Sequence, residues 1–221
     1  MYKDSNLAIS RWHVFRGERH VLRGISFSLP AGRCLQLVGD NGAGKTTLLR
    51  SIAGLVPREE GELRWRNRAV EELTDFHAEL AYLGHDPPLK ADLTGRENVR
   101  FAVALRGVPS AATLALQVEN SLDRVGALGF CERPVRTLSA GQRRRIAFAA
   151  LRAFDVPLWL LDEPATHLDV AGCALLRELI DAQLDAGGIV LAATHQDLGL
   201  DPQRLQRLAL DDARVSEVRA S

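Results

Sequence analysis

The sequence predicts an α/β domain in which a mainly parallel sheet carries helices on both faces. Three observations predict this class. Short apolar strands alternate with amphipathic helices, a glycine-rich loop joins one such strand to the next helix, and several strands end in charged residues. The carboxyl ends of parallel strands meet at one edge of a sheet, which is where ligands bind.

The glycine-rich loop fits the pattern G-x-x-x-x-G-K-[ST] of phosphate-binding loops. An apolar strand, Cys34–Val38, precedes it, and Leu48, Leu49 and Ile52 follow at helical spacing. A glycine turn with a solvated lysine is the alternative, and the flanking strand and helix oppose it. The predicted nucleotide-binding residues are Gly39, Asp40, Asn41, Gly42, Ala43, Gly44, Lys45, Thr46 and Thr47.

The residue types in this loop suit a nucleoside triphosphate. Glycines allow close approach of the backbone to phosphate, and the N-terminus of the next helix attracts anions. Lys45 supplies a positive charge for the β- and γ-phosphates, and Thr46 offers a hydroxyl to Mg²⁺. We therefore expect ATP and Mg²⁺ to bind here.

Composition narrows the classes of function. The chain has 221 residues, 46% of them hydrophobic, and a formal net charge of zero. That balance gives no strong attraction to nucleic acid or anionic lipid. The three cysteines, Cys34, Cys131 and Cys173, lie far apart, which favours unpaired thiols in a reducing cytoplasm.

No membrane or signal segment is expected from the sequence. Residues 1–6 have no apolar signal core after them. Apolar runs stay well short of the roughly 18 residues that a membrane-spanning helix needs. If the protein works at a membrane, another chain supplies the membrane part.

The first part of the chain predicts several strands before and after the phosphate loop. Ile25, Phe27 and Leu29 alternate with serines, which is typical of a half-buried strand. Trp65 is expected to pack in the core rather than contact a ligand. The predicted strands are Leu7–Ser10, His20–Leu29, Gly61–Arg66 and Leu80–Gly84.

A helical insertion is predicted over residues 86–136, which leaves a core of residues 1–85 and 137–221 in a single domain. Thr94 and Glu97 form a predicted capping box at a helix start. A second helix places Leu114, Val118 and Leu122 on one face.

The core pattern then resumes with two helices and two buried strands. A helix runs from Leu138–Gln142 to Ala153, and another carries Leu176, Leu179 and Ile180. The strands are Pro157–Leu161 and Gly188–Ala193.

Three polar residues follow these last strands. Asp162 is placed to hold Mg²⁺ beside Thr46, and Glu163 to orient or deprotonate the attacking water. His195 is placed to contact the γ-phosphate. Carboxylates that cap a neighbouring helix and a structural histidine are the alternatives, and the phosphate loop upstream disfavours the first. The predicted catalytic residues are Lys45, Glu163 and His195.

Leu138-Ser139-Ala140-Gly141-Gln142 resembles the signature of the ATP-binding cassette (ABC) ATPases, usually Leu-Ser-Gly-Gly-Gln. The order of the other motifs is similar too: residues 39–47 resemble the Walker A loop, 158–163 Walker B, Leu168-Asp169 the D-loop and His195 the switch histidine. The resemblance implies a RecA-like core of the P-loop NTPase class, with an N-terminal antiparallel β subdomain and an inserted helical subdomain.

In that family two cassettes pair head to tail. The resemblance therefore implies a second protomer, to whose ATP the residues Ser139, Ala140, Gly141 and Gln142 contribute in trans, and integral membrane subunits as partners. A plain helix cap is the alternative for Ser139.

Three features depart from the family pattern or stay open. His85 stands where a glutamine usually ligates Mg²⁺, and imidazole suits Mg²⁺ poorly, so we expect no direct ligation. Phe15 and Trp12 are alternative aromatic partners for adenine. The run Arg143–Arg145 predicts a solvated helix face rather than a nucleic-acid site.

The residues in and around the motifs resemble those of one branch of the family, the haem-export ATPases of cytochrome c biogenesis. The similar stretches are Tyr82–His85, Leu138–Gln142, Trp159–Pro164 and Gly187–Gln196. The resemblance implies a peripheral subunit on the cytoplasmic face of the bacterial inner membrane, whose partners handle haem. The sequence itself has no haem-binding pattern, so we expect no direct haem contact.

Rival interpretations are another ABC exporter, a non-transport ABC protein acting on ribosomes or DNA, and a nucleotide-binding regulator. The single cassette and the roughly hundred residues between the Walker motifs disfavour the second rival. Glu163 disfavours the third.

Overall fold

The computed structural model describes residue 2 and residues 6–107, 110–210 and 219–220. The chain divides into two compact units. The first contains Met1–Tyr82, Val156–Pro164 and Ile180–Ser221, and the second contains Leu83–Asp155 and Ala165–Leu179. The boundaries predicted for a helical subdomain, 86–136, stay a prediction.

A sheet with six strands in the described residues organises the first unit. In spatial order the strands are β10 (Arg219–Ala220), β9 (Leu205–Ala209), β3 (Cys34–Val38), β8 (Ile189–Ala193), β7 (Leu158–Asp162) and β6 (Leu80–Leu83). The pairings β3–β8, β3–β9 and β7–β8 are parallel, which confirms the predicted class, while β10 pairs antiparallel with β9. The central strand β3 leads into the phosphate loop.

A second, antiparallel sheet belongs to the same unit and confirms the β subdomain expected from the resemblance. Its long hairpin pairs Leu7 with Leu29 and Arg16 with Arg19. In spatial order the strands are β2 (Arg19–Pro30), β1 (Asn6–Arg16), β4 (Glu60–Trp65) and β5 (Arg68–Ala69).

One apolar cluster joins both sheets to helix α1, Lys45–Ile52. Leu48, Leu49 and Ile52 are fully buried, as their spacing predicts. Burial of each such side chain stabilises the fold by roughly 1.5–3 kcal/mol. The cluster therefore fixes the helix whose N-terminus closes the phosphate loop.

The second unit is built mainly from α3 (Gly95–Ala104), α4 (Ala111–Arg124) and α5 (Ala140–Ala153). The predicted capping box is present, because Thr94 and Glu97 each bond the other's backbone N–H. Helix α6, Val170–Asp185, contributes to both units.

Several elements were not predicted because they are short or weakly patterned. Helix α2, Leu73–Ala78, buries only Phe76 within its six residues, too few to show a period. The two-residue strand β5 and the strands β9 and β10 were also missed. Strand β9 matters for the site, since it lies beside β3.

Other expectations hold in the described residues. Trp65 is 6% exposed and packs edge-on against Phe76. Cys34, Cys131 and Cys173 are unpaired. Across the part of the chain that the structure describes, every helix is too short or too polar to cross a membrane.

Candidate functional site

The phosphate loop joins β3 to α1 through three glycines with positive φ. Gly39, Gly42 and Gly44 have φ values of 139°, 89° and 104°. A Cβ atom on Gly39 would overlap the carbonyl oxygen of Leu210, and one on Gly44 would lie 2.8 Å from Leu22 Cδ2. Both the backbone angles and the space therefore require glycine at positions 39 and 44.

Lys45 begins α1 and folds back over the loop. Its side chain is buried, and Nζ donates to the carbonyl oxygens of Gly39 (2.6 Å) and Asp40 (3.0 Å). The ammonium group therefore lies at the centre of the loop that the sequence assigns to phosphate.

Thr46 and Asp162 meet at the carboxyl end of β7. The Thr46 hydroxyl donates to Asp162 Oδ1 at 2.9 Å, and Asp162 is 1% exposed. Two residues 116 positions apart thus place oxygen atoms side by side, as the sequence predicts. Oxygen donors of this kind are those that Mg²⁺ prefers.

A hydrogen-bonded chain behind Asp162 was not predicted. Tyr82 donates its hydroxyl to Asp162 Oδ2 (3.3 Å) and accepts from Arg50 Nε (3.3 Å). Burial is the main cause that raises the pKa of Tyr82, and the hydrogen bond from Arg50 opposes it. The neutral phenol therefore donates to one carboxylate oxygen while Thr46 donates to the other.

Glu163 follows directly in an unusual backbone conformation. Its φ is +47°, and its N–H donates to the carbonyl oxygen of Ala193 at 2.8 Å. Non-glycine residues with positive φ cluster at functional sites. The half-buried side chain lines the same cleft as the phosphate loop.

His195 lies just beyond the carboxyl end of β8. Its side chain is exposed, and Nε2 lies 2.9 Å from Lys45 Nζ. Because an ammonium group only donates, the imidazole presents the Nε2 lone pair to it.

Residues of the phosphate loop and Glu163 border a cleft of about 350 Å³. The tip of the β1–β2 hairpin adds Arg16, Arg19 and Val21 to its lining, which the sequence analysis missed. No local motif marks them, because they reach the cleft through the hairpin register. Two arginines and a lysine around glycine N–H groups suit a polyphosphate chain.

The two aromatic candidates for adenine differ in exposure. Trp12 is fully buried, and its indole Nε1 donates to Ser51 Oγ at 2.8 Å, so it is a core residue and cannot stack on a base. Phe15 is 40% exposed and stacks on His20 with ring centroids 4.0 Å apart.

The signature stretch begins α5 in the second unit. Ser139 and Gln142 form a capping box, in which Ser139 Oγ accepts from the Gln142 N–H (3.2 Å) and Gln142 Oε1 accepts from the Ser139 N–H (3.0 Å). Ser139 and Ala140 are exposed. An added Cβ on Gly141 would meet nothing closer than 3.9 Å. The helix N-terminus is thus open to an anion.

One expectation for the arginine run is wrong. Arg144 is 4% exposed, and its guanidinium donates to the carbonyl oxygens of Gly84 and His85 at 3.3 and 3.1 Å. A buried donor that holds a loop is thus present where a solvated face was expected. His85 itself is exposed, and its Nδ1 lies 3.3 Å from Oδ1 of Asp86.

The sequence model of the ABC transporter family matches residues 22–166. The chain is 44% identical over 196 residues to the cytochrome c biogenesis ATP-binding export protein CcmA of Methylococcus capsulatus, with 88% of this chain and 93% of that protein covered. It is 39% identical over 207 residues to the protein of the same name from Vibrio vulnificus, with 93% and 100% covered.

Two solved structures are similar in fold. An ATP binding subunit of an ABC transporter matches with a TM-score of 0.84 and 22% identity, covering 97% of this chain and 89% of that one. The cbiO1 protein of Clostridium perfringens, described as part of the ABC transporter complex cbiONQ, matches with a TM-score of 0.82 and 23% identity, covering 97% and 88%.

Proposed function

This chain belongs to the ABC transporter family, and from that premise we propose that it is the ATP-hydrolysing subunit of an export complex for cytochrome c biogenesis that delivers haem. The observation that carries the ATPase is the cleft in which Glu163 faces the phosphate loop. The shared name of the curated relatives supports the export system.

ATP binds with its phosphates on residues 39–47. Lys45 offers its charge to the β- and γ-phosphates, and the α1 N-terminus adds backbone N–H groups. Arg16 and Arg19 line the same cleft and offset further negative charge. The exposed ring of Phe15 is the aromatic surface for adenine at the hairpin.

Mg²⁺ fits the pair of oxygen donors at Thr46 and Asp162, which are already 2.9 Å apart. The metal supplies charge neutralisation on the transferring phosphate. Tyr82 holds the second oxygen of Asp162. His85 stays outside the metal ligands, because imidazole nitrogen suits Mg²⁺ poorly.

Hydrolysis follows from the remaining groups. Glu163 orients or deprotonates the attacking water, since it is the acidic residue among those that line the cleft. Lys45 offsets the charge that develops on the phosphate oxygens. His195, held beside Lys45, positions the γ-phosphate.

The complete site needs a second protomer in a head-to-tail dimer. Ser139, Ala140, Gly141 and Gln142 of one copy bind the γ-phosphate on the other, through the open N-terminus of α5. Integral membrane subunits complete the complex, and this chain lies peripherally on the cytoplasmic face of the inner membrane. Haem contacts those subunits and not this chain.

The experiment is a trap of the complex in native membranes. Tagged Glu163→Gln is incubated with ATP, extracted gently, and its partners are identified. Haem-handling membrane subunits are expected. An unrelated permease would overturn the export system while leaving the ATPase, and ribosomes or nucleic acid without membrane protein would overturn the transporter. Exposed Glu72→Gln is the matched control, and we expect it to hydrolyse ATP without trapping it.

A further inference from the structure

Gln36 is a buried polar side chain in the middle of β3. It is 3% exposed, and its neighbours along the strand, Leu35 and Leu37, are fully buried apolar residues. Ala192 of β8 and Arg207 of β9 flank it in the sheet. An amide at such a position costs free energy unless its polar atoms are hydrogen-bonded.

The amide is bonded on both sides. Nε2 donates to the carbonyl oxygens of Thr194 (3.3 Å) and Gln196 (3.0 Å), and Oε1 accepts from Arg207 Nε (3.3 Å). Two acceptors on one side and a donor on the other fix which end of the amide is nitrogen. Both N–H groups are used for one short loop.

The two carbonyl oxygens belong to the residues immediately before and after His195. The same turn is closed by the Gln196 N–H, which donates to Thr194 Oγ1 at 3.1 Å. The His195 side chain is exposed, so its direction depends on the backbone that carries it. Gln36 hydrogen-bonds that backbone from β3, the strand that leads into the phosphate loop.

We propose that Gln36 is a positioning residue for ATP hydrolysis, which holds the loop at 194–196 so that His195 Nε2 meets Lys45 Nζ. This inference rests on the proposed role of His195. Gln36 touches neither nucleotide nor water in this role and acts only through the histidine. Loss of its hydrogen bonds to the loop therefore lowers turnover and leaves the affinity for ATP unchanged.

The test is Gln36→Glu, which keeps the shape and the acceptor for Arg207 but replaces the donor with an oxygen facing two carbonyl oxygens. We expect kcat to fall by about 10- to 100-fold, the scale of a small misplacement of a reacting group. The dissociation constant for ATP stays unchanged. Gln36→Met, of similar size and without a donor, gives the same result if the glutamate variant does not fold.

Gln183→Glu is the matched control. Gln183 is also buried, and its Nε2 donates to the Val156 carbonyl oxygen at 2.8 Å, so the same substitution removes a buried amide donor that does not bond the loop at 194–196. Its kcat stays at the wild-type value. An equal fall in kcat in both variants would mean that Gln36 is merely structural and would overturn the proposal.

A double-mutant cycle with His195→Ala tests the role of Gln36 separately from the role of His195. If Gln36 acts through His195, the double variant is no slower than His195→Ala alone. If the falls in kcat of the two single variants multiply in the double variant, the positioning role of Gln36 is wrong. If His195→Ala is slow and Gln36→Glu has the wild-type kcat, the role of Gln36 is wrong but that of His195 stands. If His195→Ala has the wild-type kcat, both roles are wrong.

Discussion

The ammonium nitrogen of Lys45 lies 2.9 Å from Nε2 of His195, a residue 150 positions later in the chain. Lys45 is the first residue of α1 and His195 lies just beyond the end of β8, so the contact joins the helix to the loop after β8 at the carboxyl edge of the sheet. The two residues share a contact, but we expect them to serve different steps.

Lys45→Ala should abolish tight ATP binding. The variant loses the ammonium group that lies at the centre of the loop and that we assign to the β- and γ-phosphates. A hydrogen bond from a charged group is worth roughly 1.5–3 kcal/mol. We therefore expect the dissociation constant to rise by about 10- to 100-fold in equilibrium titrations with ATP. Lys90→Ala, at an exposed lysine of the second unit, should bind normally. Unchanged affinity in Lys45→Ala would refute the assignment.

Thr46→Val should separate metal binding from nucleotide binding. The substitution keeps the size of the side chain and removes the hydroxyl that donates to Asp162. ATP binding measured in a metal chelator should match the wild type, whereas the gain in affinity on adding Mg²⁺ should be lost. Exposed Thr74→Val should retain that gain. If Thr46→Val retained it as well, the metal would have to bind elsewhere.

Ser139→Ala should be rescued by Lys45→Ala when the two are mixed. Each variant alone spoils both sites of a head-to-tail dimer. A mixed dimer has one site with an intact Lys45 and an intact Ser139. In an equal mixture about half of the dimers are mixed, and one of their two sites is intact, so roughly a quarter of the wild-type ATPase rate should return. The absence of any recovery in mixtures that form dimers would argue against sharing in trans.

Ser110→Ala controls for the lost helix cap. Ser110 caps α4 by accepting from the Thr113 N–H at 3.1 Å, in the same way as Ser139 caps α5. Both changes should cost about 1 kcal/mol of stability. Only Ser139→Ala should lose ATPase activity.

Cys34 should make the protein less stable at alkaline pH. Burial raises the pKa of this thiol from its ordinary value of 9.0 to about 12. Between these two values the unfolded state loses the proton and the folded state keeps it. This group therefore leaves the free energy of unfolding unchanged below about pH 9 and lowers it by about 1.4 kcal/mol per pH unit from there to about pH 12.

Denaturant unfolding between pH 8 and 11 would measure this effect. Cys34→Ala should be less stable at neutral pH, because it leaves a small cavity, but its stability should fall less steeply with pH. Equal slopes in Cys34→Ala and the wild type would contradict the assignment.

The residues that the sequence predicts for the candidate site lie together where the order of the strands dictates it. Thr46, Asp162, Glu163 and His195 follow buried parallel strands or the phosphate loop, and the carboxyl ends of such strands meet at one edge. Local patterns were enough because each of these residues lies at or just beyond the end of a clearly patterned strand, or at the start of α1.

The supporting contacts lay beyond such patterns. Gln36 bonds a carbonyl oxygen 158 residues away, and Tyr82 bonds a carboxylate 80 residues away. The register of the sheet determines which residues these two side chains meet. No spacing pattern in the sequence predicts that register. Arg144 was misjudged for the same reason, since its charge suggested solvent while the fold supplied buried carbonyl oxygens.

The left-handed backbone at Glu163 has a consequence for protein engineering. A non-glycine residue at φ +47° costs on the order of 1 kcal/mol, and glycine or asparagine adopts that conformation more readily. A directed-evolution screen that rewards heat resistance alone would therefore replace this glutamate. Because we propose that Glu163 activates the attacking water, libraries aimed at a more heat-stable enzyme should keep codon 163 fixed, so that they do not enrich stable variants without ATPase activity.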